Sequence, residues 1–310
     1  MKYVVLGAAG FIGTNLSKAL STNADDKVVA IDEKAEYFDK CLYTDNIERI
    51  AVDYKNIESY ESALIDADIV FHLISTNNPS SSNIHISEDI TENVSISISV
   101  LEACVRQKAK RVLFLSSGGT VYGDRDRYPI KEEDETFPIT TYGIQKLTIE
   151  KLFYLYGYIH DLNYVIVRLS NPYGPYQRPN GRLGALSTFT YRALKDEEII
   201  VYGDGSVIRD YIYIDDAIEA IINIAKRENT DRIYNIGSGK GTSINELISW
   251  IGSALDKPLS VKYQEKRQVD LKENVLDPKK YTDQFGKLCQ TPLDEGIRLT
   301  ADFLKKYYDL

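Results

Sequence analysis

Tyr142 and Lys146 stand four residues apart in Tyr142-Gly143-Ile144-Gln145-Lys146, the separation that sets two side chains on one face of a helix. A tyrosine titrates near 10, so acting as a base at neutral pH needs a downward shift of about 3 units, roughly 4 kcal/mol. A neighbouring ammonium supplies part of that shift, and a cationic cofactor ring would supply more. The pair could then take the proton of a substrate hydroxyl while a hydride departs. Among 23 tyrosines such a spacing arises easily by chance, so its weight comes from what precedes it.

What precedes it is Gly7-Ala8-Ala9-Gly10-Phe11-Ile12-Gly13, between a short apolar run (Lys2–Leu6) and an amphipathic stretch carrying Leu16 and Leu20. Glycines there permit a tight turn and close backbone approach, and a helix N-terminus offers N–H groups and positive dipole to a pyrophosphate. Asp32 ends the next β-rich run, 19 residues after Gly13. A carboxylate at that place accepts hydrogen bonds from a ribose 2′-hydroxyl and repels a 2′-phosphate, which favours NAD over NADP.

The elements that must position these groups alternate in period. Strands are expected at Lys27–Ile31, Glu48–Val52, Ile69–Ile74, Arg111–Leu115 and Tyr164–Leu169, with helices at Tyr60–Ile65, Val94–Val105 and Gly143–Tyr158. That rhythm predicts an α/β fold, a doubly wound parallel sheet of Rossmann type. After Asn171-Pro172-Tyr173-Gly174-Pro175 the rhythm loosens into a smaller α/β C-terminal lobe. Helices are expected there near Ala185–Leu194, Asp215–Lys226, Ile244–Leu255 and Leu293–Lys306, and strands at Ile233–Ile236 and Ser260–Tyr263. The expected division is a dinucleotide domain over 1–171 and a substrate lobe over 172–310, with segments of the two interleaved. The acidic run Lys131-Glu132-Glu133-Asp134-Glu135 reads as a solvated loop.

Composition bounds the partners. The 310 residues carry 37 Lys+Arg against 46 Asp+Glu, a net charge of -9 that argues against binding nucleic acid or an anionic membrane. No apolar stretch approaches the ~18 residues that would span a bilayer. Cys41, Cys104 and Cys289 are far apart and odd in number, and His72, His85 and His160 stand singly. That usage points to free buried thiols in a reducing cytoplasm, with no metal site.

The glycine spacing, with Tyr142 and Lys146, resembles the extended short-chain dehydrogenases/reductases, and among them the nucleotide-sugar epimerases and dehydratases, of the UDP-glucose 4-epimerase kind. The matching segments run along nearly the whole chain: Ser116-Ser117-Gly118-Gly119-Thr120-Val121-Tyr122-Gly123, Arg168-Leu169-Ser170-Asn171-Pro172-Tyr173-Gly174-Pro175, Tyr202-Gly203-Asp204-Gly205, Arg209-Asp210-Tyr211-Ile212 and Asn235-Ile236-Gly237-Ser238-Gly239. The resemblance implies an NAD site on Gly7, Gly10, Phe11, Ile12, Gly13 and Asp32, with Asp53-Tyr54 at the adenine, Leu73 beside the adenosine ribose, and Tyr142 and Lys146 at the reacting end. It implies catalysis by Tyr142 and Lys146 with a Ser or Thr hydroxyl. Gly118 occupies that third position, leaving Thr120 or Ser117 as the nearest substitutes. It implies a substrate held by Asn171, Tyr202, Arg209, Arg267 and Asp270, although the usual Arg-Pro-Gly-Asp here reads Arg267-Gln268-Val269-Asp270.

Within that family the residues before Val121-Tyr122-Gly123 separate reactions. Dehydratases and decarboxylases have carboxylates where this chain has Gly119-Thr120, and the epimerising reductases use a Cys and a His absent from this motif. What remains is oxidation and re-reduction at carbon 4 of a UDP-hexose. The position that limits N-acetyl bulk falls near Asn274, small enough to leave N-acetyl sugars open. Another nucleotide-sugar dehydratase or reductase, or a non-catalytic NAD-binding regulator, are the alternatives. The family also implies a homodimer built from the helices at Val94–Val105 and Gly143–Tyr158. Phe153, Tyr154, Tyr156 and Tyr158 suit either that interface or packing within the subunit.

Overall fold

The computed structural model describes residues 1–38, 44–76, 83–84, 86–179, 184–266 and 271–310. Strands are β1 (Lys2–Leu6), β2 (Lys27–Asp32), β3 (Ile47–Ala51), β4 (Ile69–His72), β5 (Val112–Ser117), β6 (Tyr164–Leu169), β7 (Asn171–Tyr173), β8 (Ile199–Tyr202), β9 (Ile208–Tyr213), β10 (Ile233–Ile236), β11 (Gly241–Ser243), β12 (Val261–Gln264) and β13 (Glu273–Asn274). Helices are α1 (Phe11–Leu20), α2 (Ala35–Phe38), α3 (Ile86–Arg106), α4 (Thr141–His160), α5 (Ala185–Leu194), α6 (Ile214–Lys226), α7 (Ile244–Leu255), α8 (Lys279–Phe285) and α9 (Leu293–Tyr308).

A seven-stranded parallel sheet runs β10-β6-β5-β4-β1-β2-β3, the doubly wound order expected from the alternation. Chain direction across the sheet reverses between β1 and β4, which pair in parallel with Leu6 opposite His72. Ligands of such sheets bind outside the carboxyl ends of the strands at that reversal, and the glycine loop leaves β1 there. Val4, Leu6, Val29, Ile31, Val70, Val112, Phe114 and Ile166, on one face of the sheet, join helix residues Val100, Leu101, Ile149 and Phe153 in one apolar core, and Tyr3, Val5, Val28, Ala30, Phe71, Leu113, Val165 and Val167 are buried on the other. Burial on both faces explains why these strands read as continuous apolar runs.

The chain divides into two compact units: residues 1–117, 140–168 and 221–234, and residues 118–139, 169–220 and 235–310. A single cut after residue 171 therefore misplaces segments on both sides. Residues 118–139 belong to the second unit because Ile130 bridges Leu276 and the Asn235 N–H binds Glu132. Residues 221–234 belong to the first because Arg232 accepts the Ile166 N–H through its carbonyl at the head of β10. In the second unit β9 is the centre of a sheet with β11, β13 and β7, and β8 pairs with β12 in a separate ribbon.

Other expectations are corrected. Residues 60–65 form no α-helix; two 3-10 turns, Ile57–Ser59 and Glu61–Leu64, bury Tyr60 and Leu64, since so short a segment does not repay helix nucleation. Glu132 is not solvated: its side chain is 4% exposed and accepts the Asn235 N–H at 2.7 Å, and burial raises its carboxyl above the usual range. Of the thiols, Cys104 is buried and Cys289 is exposed, and Cys41 lies outside the described residues. Strand β9 escaped the pattern because Asp210 interrupts its apolar side. That carboxylate is fully buried and accepts N–H groups from Ser238, Gly239 and Leu276 and the Ser238 hydroxyl, so the polar residue is an anchor of the second unit.

Candidate active site

In the first unit the glycine loop is shaped as an anion cradle. Gly7 has φ of +89°, and a Cβ there would stand 3.0 Å from the Leu73 carbonyl carbon, at the end of β4. A Cβ on Gly13 would lie 2.1 Å from the Gly7 carbonyl oxygen, so α1 packs against the turn only as glycine. Gly10 is the N-cap and contributes no side-chain cap, and the first turn of α1 has no acidic residue. The helix thus presents free N–H groups and an unneutralised dipole to a phosphate. Phe11 and Ile12 are half-buried in that first turn.

Asp32, at the end of β2, accepts the Ala9 N–H at 2.8 Å and the Glu33 N–H at 2.8 Å. Glu33 is held above the usual carboxylate range by burial first and then by the charges of Asp32, Glu92 and Asp53. Negative charge therefore accumulates beside the loop, an unfavourable place for a 2′-phosphate. Asp53 is exposed and closes a turn by accepting the Lys55 N–H. The Tyr54 side chain is buried and its hydroxyl reaches the back of the glycine loop at Gly7, a placement the sequence did not indicate. Replacing Asp32 by Asn should weaken NAD binding about tenfold, the loss of a charge-assisted hydrogen bond, and narrow the preference over NADP. Parallel calorimetric titrations with the two dinucleotides check this, and unchanged selectivity would move the discrimination to another residue.

Tyr142 and Lys146 sit on the first turns of α4, which Thr140 caps by accepting the Gly143 N–H at 3.1 Å. Lys146 is 4% exposed. Its Nζ donates to the Leu115 carbonyl at 3.0 Å and lies 4.9 Å from the Phe114 ring centre and 5.6 Å from that of Tyr142. Burial brings its ammonium down to about 8, against an upward pull from Glu150. Tyr142 is pushed up to about 12 by burial, opposed by a hydrogen bond from Ser75. Without the cofactor the phenol is thus a weaker acid than in water. The shift required of the bound state grows to about 5 units, roughly 7 kcal/mol.

Glu150, Ser116 and Arg168, all in this unit, complete the arrangement and were given no role in the sequence. Glu150, one turn beyond Lys146, is buried and accepts the Ser116 hydroxyl at 2.5 Å. It also receives Arg168 bidentately, with Nη2 to Oε2 at 2.6 Å and Nε to Oε1 at 3.0 Å. The 142, 146, 150 spacing is one helical stripe and was the available signal; nothing local pointed to Arg168 as the partner. Ser117 follows Ser116 on β5, so the pleat sends its side chain to the face opposite the one that receives Ser116 and Phe114. His72 bonds Ser97 at 2.8 Å, packs 5.3 Å from Phe114, and is driven down to about 3 by burial and by Lys146, so it is neutral.

In the second unit Gly118 donates its N–H to the Leu169 carbonyl, and its own carbonyl accepts Asn274 Nδ2 at 3.0 Å. Asn274 is fully buried, and its Oδ1 and the Oγ1 of Thr120 have no hydrogen-bond partner among the described residues. Asn171 donates to the Asp210 carbonyl at 3.0 Å, and Arg209 Nη1 donates to the carbonyls of Ile208 and Leu271, each at 2.8 Å. The β7–β9 pairing sets Asn171 opposite Tyr211, two residues along β9 from Arg209. Tyr202 is 38% exposed at the end of β8, in the other ribbon. Arg267 and Asp270 lie outside the described residues.

The model of the NAD dependent epimerase/dehydratase family matches residues 3–237. A putative UDP-glucose 4-epimerase of Methanocaldococcus jannaschii is 30% identical over 97% of this chain and 98% of its own. A dTDP-4-dehydro-6-deoxyglucose reductase of Escherichia coli is 31% identical over 95% and 94%. Among solved structures, the UDP-glucose 4-epimerase of Thermotoga maritima with UDP-glucose superposes with a TM-score of 0.92 at 29% identity, covering 99% of this chain and 100% of that one.

Proposed function

The chain belongs to the NAD-dependent epimerase/dehydratase family, and from that premise we propose that it is a UDP-sugar 4-epimerase, acting on UDP-glucose and UDP-galactose and admitting their N-acetyl forms. The observation that carries the reading is the Tyr142–Lys146 pair on α4, together with Gly119-Thr120 where carboxylates would serve dehydration. The glycine loop and Asp32 hold NAD, which supplies a reversible hydride acceptor for carbon 4. Tyr142 takes the proton of the carbon-4 hydroxyl and returns it once the ketone has presented its other face. Lys146, charged below about 8, stabilises the phenolate. Thr120 contributes the hydroxyl that Gly118 lacks, its buried Oγ1 having no partner among the described residues.

The nucleotide diphosphate falls to the second unit, to Asn171, Tyr202 and Arg209, and to Arg267 and Asp270. Arg209 and Arg267 bring planar donors suited to phosphate oxygens in an otherwise acidic chain. Asn274, smaller than a tyrosine, supports admission of the N-acetyl forms. The same reading makes the protein a cytoplasmic homodimer joined through α3 and α4. Tyr154, Leu155, Tyr158 and Ile159 support it, since these α4 residues are 45–78% exposed while Phe153 is buried in the core. Among the described residues no helix is long and apolar enough to cross a membrane.

Incubation of the purified protein with each UDP-hexose and its N-acetyl form, without added dinucleotide, should interconvert the carbon-4 epimers. A 4-keto-6-deoxy product, or stoichiometric consumption of NAD(P)H, would instead identify a dehydratase or reductase, the second reading that the E. coli relative favours. Retained NAD with no turnover of any sugar would point to a regulator.

A further inference from the structure

The phenol of Tyr54 is buried behind the glycine loop. Its hydroxyl accepts the Gly7 N–H at 2.7 Å and donates to the Ile31 carbonyl at 2.8 Å. Gly7 is the first glycine of the phosphate loop, and Ile31 is the penultimate residue of β2, one before Asp32. The Ile31 carbonyl also receives the N–H groups of Gly7 and Ala8, at 2.9 and 3.0 Å. One side chain therefore joins the turn after β1 to the strand end that carries the ribose-facing carboxylate.

The brace is itself held. Tyr54 is 3% exposed and Tyr60 fully buried; their rings meet edge to face at 5.8 Å, and the Tyr60 hydroxyl donates to the Tyr54 carbonyl at 3.2 Å. Burial, followed by the charge of Asp32, raises the Tyr54 phenol well above its ordinary value, so it remains a donor throughout the working range. A hydroxyl with one proton and two lone pairs can make both bonds at once, where Phe or Leu makes neither.

We propose that Tyr54 is a positioning residue of the NAD site, its hydroxyl fixing the pyrophosphate turn at Gly7 in the binding conformation before the cofactor arrives. Preorganisation lowers the ordering cost of binding, and its benefit falls on the part of the ligand that the turn touches. An adenine-wall role, implied by the position of Asp53-Tyr54, would act on the other end of the cofactor. The Gly7–Ile31 bond survives removal of the hydroxyl, and phenylalanine preserves the ring packing, so Tyr54→Phe should leave the fold intact.

The test measures the binding of NAD, ADP-ribose and adenosine to wild type and Tyr54→Phe, by calorimetry or by NMR titration for the weakest ligand. Affinity for NAD and ADP-ribose should fall about fivefold to tenfold, the worth of one hydrogen-bonding group, while that for adenosine stays the same. An equal loss for adenosine would place Tyr54 at the adenine wall and overturn the proposal, as would unchanged affinity for ADP-ribose. Should the variant fail to fold, proton exchange in the NAD-free wild-type protein decides. The Tyr54 hydroxyl proton, donated to the Ile31 carbonyl, should exchange slowly enough to be observed by NMR, and exchange at the rate of an exposed phenol refutes the brace. These readouts involve binding and exchange alone, so they stand whichever sugar reaction the protein performs.

Discussion

Tyr142→Phe should lower turnover of the UDP-sugar by about a thousandfold or more while NAD stays bound. In the proposed mechanism the phenol carries the proton, and general acid–base groups contribute typically about 10²–10⁴-fold. The effect falls at the large end because the phenol begins near 12. Burial alone makes it a poor base, so the whole shift must come from charge, from Lys146 and from the cofactor. Loss of the hydroxyl removes that arrangement without touching the glycine loop or Asp32, so binding of the dinucleotide should be unaltered. Steady-state rates and calorimetric NAD titration on the same preparation separate the two. Retained turnover would mean that the base lies elsewhere in the chain.

The pH dependence follows the same reasoning. Lys146 is depressed to about 8 from an ordinary value near 10.5. Its charge is present below about 8 and lost above, so the wild-type rate should decline as pH rises through that range. The sign for stability is the opposite. Between about 8 and 10.5 the unfolded chain holds a proton on Lys146 that the folded chain has released, so this residue's contribution makes folding more favourable as pH rises.

Glu150→Gln should destabilise the first unit by about 3–5 kcal/mol, the cost of leaving a buried charge without its partner. Glu150 and Arg168 are both at most 4% exposed at their side chains. An amide in place of the carboxylate leaves the guanidinium desolvated and uncompensated. Replacing both residues by methionine should restore most of the stability, because the charges vanish together. The double variant should still be catalytically impaired. Glu150 is the group that raises Lys146, so without it the ammonium loses its proton at lower pH, and the alkaline decline in rate should move to lower pH. Denaturant titrations measure the first effect and pH–rate profiles the second. A stable double variant with an unshifted profile would reduce the ion pair to packing alone.

Parts of the site were legible because they are local. The glycines of residues 7–13 show their use in their spacing and in the strand and helix around them, and Tyr142 and Lys146 lie one turn apart on one helix. The second unit was less legible. Asp210 and Asn274 are polar residues at fully buried places in short strands, where alternation of apolar and polar residues fails as a signal. Glu132 looked like part of a charged surface run, and the Asn235 N–H and the Lys280 ammonium 4.0 Å away are what meet its buried carboxylate.

The sequence by itself determined the doubly wound sheet, the dinucleotide loop and the tyrosine–lysine pair, since each is written in periodicity or in residues within a few turns of one another. The tertiary structure decided who holds them. Arg168 meets Glu150 across 18 residues, Tyr54 meets Gly7 across 47, and Glu132 meets Asn235 across 103. A buried polar group must find a partner wherever the fold brings one within hydrogen-bonding distance, and sequence separation leaves no pattern from which that partner can be read.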